Sequence, residues 1–368
     1  MILFLANTIT QLMNAVIICK MQYKDEKCDI YFTNNLKEYI KRARKEDVFD
    51  SCYEIELPKD IVSRSNRINR AVVRLKNAFD IKKIKRNLPS SPYNYERVFL
   101  SGQSLRNIEF YYSIKSLNKD VSLTLYEEGA FEYCLLSMKK NFPQIAFSKV
   151  FFHRYYLFDC DEAYVYSPEL IDNKWPNIKI KKIPAFKQNV HLIRILNNIF
   201  LYQKTELDGK TKKIVILDQA FFDHERDAKQ IELVEKIISE VGSLNIYIKM
   251  HPRSKKGKYK ISEDNIINGT PMEMMMLNEK ITDNAFVSIT SSATTNFKVV
   301  FNEEPVIIML YNLFPTNNGV SMENEKFIQK VQDSYVSSNF YIPKTSEDFF
   351  DIVKKYCIRE NVSEREFE

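Results

Sequence analysis

From the second residue onward, short runs of β-branched and aromatic residues alternate with longer amphipathic stretches. Few folds accept that alternation. Consecutive strands separated by a helix-length crossover pair in parallel, so the pattern predicts an α/β chain with parallel sheets. In the first half the predicted strands are Ile2–Ala6, Asp29–Thr33, Tyr53–Leu57, Arg97–Ser101, Val121–Tyr126 and Ala163–Tyr166. A second series follows the polar segment Gln203–Lys213 and comprises Ile214–Leu217, Leu244–Met250, Phe286–Thr290 and Val306–Tyr311. With 368 residues the chain exceeds one ordinary core, since domains cluster at about 100–200 residues. The expected organisation is a first α/β domain over 1–205, a second over 206–340, and a helical segment, 341–368, free to pack back on the first.

Several function classes lose their support. The whole chain holds 7 glycines, with no GxGxxG after the first strand and no GxxxxGK[ST], so any phosphate is held without a glycine-rich loop. Cys19, Cys28, Cys52, Cys134, Cys160 and Cys357 lie far apart, without a CxxC pair or a histidine at metal spacing. They read as buried free thiols rather than as a zinc site or a disulfide framework, and no metal site is expected. The N-terminus is apolar, yet Asn7, Thr8, Thr10, Gln11 and Asn14 interrupt it and no basic region precedes it. It therefore reads as neither signal peptide nor membrane span, and a cytoplasmic location is expected. A net charge of +6 beside 48 acidic residues does not indicate nucleic acid. Arg64, Arg67, Arg70 and Arg74 recur at helical spacing beside Ile61, Ile68, Val72 and Phe79. Such a basic face is either solvated or in peripheral contact with an anionic membrane.

In parallel α/β sheets ligands bind beyond the carboxyl ends of the strands, so polar residues that directly follow a strand are the candidate site. Four places qualify: Glu127-Glu128-Gly129, Asp218 with Asp223 five residues on, His251-Pro252-Arg253, and Ser291-Ser292. The two serines stand at a strand-to-helix turn, where they either only cap the helix or, with its free N–H groups and dipole, hold an anion. Pro252 disfavours helix at His251, so the imidazole stays at the strand end, able to donate to a phosphate oxygen and, as a cation, to steady a departing phosphate with help from Arg253. Glu127 and Glu128 point in different directions along an extended segment, one toward ligand and one supporting the loop, with Gly129 permitting a sharp turn. Asp218 and Asp223 are either helix caps or bases raised in pKa by partial burial. Glu273, at the start of an apolar helix, either accepts both hydroxyls of a ribose or complements the helix dipole.

The ordered series Tyr126-Glu127-Glu128-Gly129, Lys249-Met250-His251-Pro252-Arg253, Pro271-Met272-Glu273 and Ser291-Ser292 resembles the acidic-acidic-glycine, His-Pro and Ser-Ser motifs of bacterial GT-B sialyltransferases and polysialyltransferases. The opening Ala6-Asn7-Thr8-Ile9-Thr10-Gln11-Leu12 is similar to the start of glycosyltransferase family 52, which includes lipooligosaccharide sialyltransferases. The resemblance implies two Rossmann-like domains whose parallel sheets face a central cleft. It also implies a CMP-sialic acid donor in the second domain, with His251, Pro252, Arg253, Ser291 and Ser292 near the phosphate and Glu273 near the ribose. The first domain would hold a lipooligosaccharide or capsule acceptor, with Thr8, Gln11, Glu128 and Gly129 on that side, and a homodimer is compatible. Because the leaving group is a monophosphate, no cofactor or divalent metal is implied. The resemblance places the general base at Asp223 first, then Asp218, with Glu127 of the acidic motif as the other choice. The neighbouring alternatives are a hexose transferase with a UDP-sugar donor and a non-catalytic nucleotide-sugar-binding protein.

Overall fold

The apolar runs become strands, and every strand pairing is parallel. The computed structural model describes residues 1–33, 36–55, 94–102, 105–138, 156–221, 224–314 and 321–363. Arg64, Arg67, Arg70, Arg74 and Asp223 lie outside them. The chain divides into two units, Met1–Leu201 and Tyr202–Glu368.

In the first unit β1 (Ile2–Ala6), β2 (Cys28–Thr33), β3 (Ser51–Ile55), β4 (Arg97–Leu100), β5 (Ser122–Tyr126), β6 (Cys160–Val165) and β7 (Lys179–Lys182) form one sheet in the order β3-β2-β1-β4-β5-β6-β7. Among the described residues its helices are α1 (Ile9–Gln22), α2 (Lys37–Lys45), α3 (Leu105–Lys115), α4 (Ala130–Ser137) and α5 (Val190–Phe200). Strand β1 is buried along its whole length, as a central parallel strand covered on both faces must be. The rings of Phe4 and Phe99 stack across β1 and β4 at 4.5 Å. Thr8 caps α1 by accepting the N–H of Gln11, and Gln11 through Cys19 are all buried. A helix buried on every side has no polar face to show, which is why this stretch looks apolar in sequence. Its interrupting polar residues, Gln11 and Asn14, are thereby obliged to find buried partners.

In the second unit β8 (Ile214–Leu217), β9 (Ile246–Lys249), β10 (Ile266–Ile267), β11 (Ala285–Ser288), β12 (Val306–Met309) and β13 (Phe340–Tyr341) lie in the order β10-β9-β8-β11-β12-β13. The helices are α6 (His224–Val241), α7 (Met272–Asn278), α8 (Ser292–Val299), α9 (Met322–Asp333) and α10 (Ser346–Ser363). Ile216, Ile248, Val287 and Ile308 meet Val234 and Ile237 of α6 in one core. The same core takes Phe349, Phe350 and Val353 of α10. The C-terminal segment thus buries these apolar residues in the second unit.

The strands that the sequence pattern misses, β7, β10 and β13, are all at sheet edges. Strand β7 reads Lys-Ile-Lys-Lys with half its residues exposed, and the other two have two residues each. An edge strand is covered less and so carries no continuous apolar run.

Candidate active site

Each sheet reverses its strand order once: at β1/β4 in the first unit and at β8/β11 in the second. The described candidates stand beyond strand ends: Glu127-Glu128-Gly129 after β5, Asp218 after β8, His251 after β9 and Ser291-Ser292 after β11.

In the first unit the acidic motif leaves β5. The Glu127 side chain turns inward, where one carboxylate oxygen accepts the Tyr133 hydroxyl at 2.7 Å and the Tyr166 N–H at 2.8 Å. Asn14 of α1 donates to the Glu127 carbonyl at 2.7 Å and accepts the Tyr166 hydroxyl at 2.5 Å. Burial without a cation pushes the Glu127 carboxyl up to about 8. Burial thus favours the protonated form of Glu127, whose side chain is enclosed. Glu128 is only partly buried. Its Oε2 accepts Gln11 Nε2 at 2.6 Å, with the Ser101 hydroxyl at 3.2 Å. The Gln11 amide is itself held by the Asn7 N–H at 2.6 Å. Glu128 Oε1 makes no hydrogen bond within the described residues. Gly129 adopts φ 146°, a conformation that favours glycine and makes the turn into α4.

Glu132, one turn into α4, was not anticipated. Fully buried, it accepts the Glu128 N–H at 2.8 Å, the Gly102 N–H at 2.8 Å and the Ser101 hydroxyl at 2.7 Å. Burial and the neighbouring Glu128 charge push it up to about 7. It joins the loop after β4 to the acidic motif. An acid three residues after the glycine, in a helix's first turn, is the sequence signal that could have found it.

In the second unit Asp218 reads from the sequence as either a helix cap or a base raised in pKa by partial burial. Instead its side chain is wholly buried and surrounded by donors. Oδ1 accepts Lys258 Nζ at 2.8 Å, the Tyr259 hydroxyl at 2.6 Å and Gln230 Nε2 at 2.8 Å, while Oδ2 accepts the His251 N–H at 3.1 Å. Burial alone would raise this carboxyl, but Lys258, Tyr259 and the His251 N–H outweigh it and hold it below its ordinary value. A carboxylate with both oxygens occupied and its charge countered by a buried ammonium is a poor proton acceptor.

His251 leaves β9, and its Nδ1 accepts the Arg253 N–H at 3.1 Å. That bond requires the neutral ring to carry its proton on Nε2, turning a donor away from the main chain. Burial and the Arg253 guanidinium lower the imidazole's pKa, with Asp218 opposing them and Lys249 and Lys258 adding to them. The neutral ring is therefore favoured. Pro252 and Arg253 are exposed. Ser291 does cap α8, accepting the Ala293 N–H at 3.3 Å, and its own proton remains to be donated. Ser292 is exposed at the first position of α8. Glu273, in the first turn of α7, accepts Asn296 Nδ2 of α8 at 3.4 Å, so it is tied to the Ser-Ser helix. Because β8 lies between β9 and β11, the His-Pro and Ser-Ser turns stand two strand spacings apart, about 10 Å.

Solved structures show the same two-sheet architecture. Arabidopsis thaliana UGT89C1 complexed with UDP is 8% identical with a TM-score of 0.56, the match covering 96% of this chain and 89% of that one. The glycotransferase of kitacinnamycin is 9% identical with a TM-score of 0.52, covering 99% and 92%. The alpha/beta-galactoside alpha-2,3-sialyltransferase of Photobacterium phosphoreum is 14% identical over 93% and 97%, at a TM-score of 0.49. The fold is that of the GT-B glycosyltransferases. The family model described as alpha-2,8-polysialyltransferase matches residues 2–311, and the chain belongs to that family of glycosyltransferases. No curated protein matches it. Among the described residues no helix is long and apolar enough to cross a membrane.

Proposed function

We propose that the protein transfers sialic acid from CMP-sialic acid to a hydroxyl of a glycan acceptor, with inversion and without a metal ion. The second unit binds the donor, and the first unit holds the acceptor and supplies the base. The observation that carries this reading is the pair of turns flanking β8: a neutral imidazole whose Nδ1 is occupied, so that Nε2–H is the free donor, and a serine-capped helix N-terminus. Together they offer neutral donors and a helix dipole, which suit one phosphate carried by a nucleoside monophosphate. In this reading Glu273, in the first turn of α7, takes the ribose hydroxyls.

In the step itself the acceptor oxygen attacks the anomeric carbon as the bond from that carbon to the CMP phosphate oxygen breaks. The hydroxyl proton passes to a carboxylate base, and CMP departs with its charge stabilised by His251 Nε2–H, the Ser291 hydroxyl and the α8 N-terminus of the second unit. Within the first unit Glu128 is our candidate for that base, because Gln11 and Ser101 orient its carboxylate through one oxygen only. The matched family description supports an acceptor that itself ends in sialic acid.

Thermal shift with CMP and with UDP tests the donor. A ligand at about 100 times its Kd raises stability by about 2.7 kcal/mol. Stabilisation by CMP and not by UDP is expected, and the reverse would favour a hexose transferase. Hydrolysis of CMP-sialic acid without acceptor separates an enzyme from a binding protein.

A further inference from the structure

Strand β8 runs between the strands that carry the His-Pro and Ser-Ser turns, and the first two residues beyond it each take hold of one turn. Asp218 Oδ2 accepts the main-chain N–H of His251 at 3.1 Å. Gln219 exchanges two hydrogen bonds with Thr290, the residue before Ser291: its Oε1 accepts the Thr290 N–H at 2.8 Å and its Nε2 donates to the Thr290 hydroxyl at 2.9 Å. Gln230 of α6 locks the two together. It accepts the Gln219 N–H at 3.2 Å, and its amide nitrogen lies 2.8 Å from Asp218 Oδ1, 3.0 Å from the Gln219 carbonyl and 2.9 Å from the Tyr259 hydroxyl. Lys258, only 5% exposed at its side chain, bridges Asp218 at 2.8 Å and Asp227 at 2.6 Å.

We propose that Asp218 and Gln219 are positioning residues of the donor site, setting the His-Pro and Ser-Ser turns at the separation a donor phosphate requires. Asp218 acts through the main chain of His251, and Gln219 acts through Thr290. Burying an aspartate, a lysine, a tyrosine hydroxyl and a glutamine amide together is costly, and apolar residues of similar volume would fill the space at least as stably. What such residues could not do is hold two loops from different strands in one register. Toward β9 one main-chain bond still continues the ladder, from the Asp218 N–H to the Lys249 carbonyl at 3.0 Å, while His251 beyond it and Thr290 beyond β11 are tied to β8's end by the side chains of Asp218 and Gln219.

The inference rests on the donor reading above, and its test has one arm that does not. In Asp218→Asn the single carbonyl oxygen cannot serve both Lys258 with Tyr259 and the His251 N–H, so one side faces an amide NH2. Gln219→Leu keeps the volume and drops both bonds to Thr290. By calorimetry, Asp218→Asn should weaken CMP binding about 10-fold or more. In a His251→Ala background the same change should weaken it further by less than about 3-fold, because residues acting as one unit are not additive. Gln219→Leu should show the same coupling with Ser291→Ala. If the losses multiply undiminished in the double variants, Asp218 and Gln219 act only on overall stability and the proposal fails. The second arm needs no ligand: imidazole ¹⁵N NMR of the free protein, with His251 assigned by its absence in His251→Ala. Wild type should show the Nε2–H form and Asp218→Asn a mixture of tautomers; an unchanged signal would overturn the role given to Asp218. Should Asp218→Asn fail to fold, Tyr259→Phe removes one donor and should shift both readouts the same way by less. Wild type that binds no CMP would sink the donor reading, while the imidazole signal would still decide the positioning role.

Discussion

Glu127 and Asp218 both leave the C-terminal end of a parallel strand, both are buried, and both accept a main-chain N–H from a neighbouring loop. Their charges are opposite in outcome. The described partners of Glu127 are neutral, and burial drives its carboxyl up to about 8. Asp218 is buried as well, but the Lys258 ammonium and the Tyr259 hydroxyl more than offset that burial. Place in the fold therefore does not fix what a carboxylate can do; the donors that reach it do. By that criterion burial favours the proton on one, while donors on both oxygens favour the ionised form of the other. Glu128 stands between these cases, held on one oxygen, while the other makes no hydrogen bond within the described residues.

The largest effect expected is on chemistry in the first unit. Glu128→Gln should lower kcat by about 10²–10⁴ while CMP affinity stays within about 2-fold of wild type. Glu127→Gln, which preserves shape and hydrogen bonding to Tyr133 and Tyr166, should lower kcat by less than about 10-fold. The opposite ranking at saturating donor would reverse the comparison. A dead Asp223→Asn beside an active Glu128→Gln would move the base to the second unit.

Next in size is the donor site. His251→Ala and Ser291→Ala should each weaken CMP binding by about 10–100-fold, the worth of one hydrogen bond to a charged group. Melting temperatures close to wild type would show that the loss is not unfolding. Wild-type kcat and KM in both variants would mean that the donor is held elsewhere.

The contrast in charge can be read from stability alone. A carboxyl raised in the folded state binds its proton more tightly there than in the unfolded chain. The folded state then holds the extra proton between the unfolded value, near 4.5, and the folded value, about 8 for Glu127. Across that window stability falls as pH rises. Glu132, at about 7, adds to the same slope. Asp218 has the opposite sign: its contribution is present above the unfolded value and disappears as pH drops through its lowered folded value. Glu127→Gln should therefore flatten the fall in Tm between pH 5 and pH 8 and raise Tm at pH 8 by about 5 °C. An unchanged slope would show that Glu127 is ionised in the fold.

The smallest effect expected is none. With a monophosphate leaving group held by neutral donors, activity should survive EDTA. Loss restored by Mg²⁺ or Mn²⁺ would indicate a diphosphate donor and weaken the contrast drawn between the two strand ends.

What the sequence determined by itself is the covered centre of each sheet and the places where chemistry sits. Strands such as Ile2–Ala6 and Ile214–Leu217 were legible to the residue because a parallel strand buried on both faces must be apolar throughout. Gly129 was legible because its turn needs a conformation that glycine alone adopts freely. The edge strand β7 was not, since an uncovered strand leaves no apolar run to read. Nor was the division of labour between Glu127 and Glu128 on the page of the sequence. It depends on Tyr133, Tyr166 and Asn14 closing around one and Gln11 and Ser101 around the other, partners from 6 to 117 positions away. Asp218 likewise reads as a candidate base until Lys258 and Tyr259, 40 and 41 residues on, arrive beside it. Periodicity reports whether water or protein covers an element, a local property. A carboxylate's proton is settled by which distant donors the tertiary structure brings within 3 Å, and no local pattern records them.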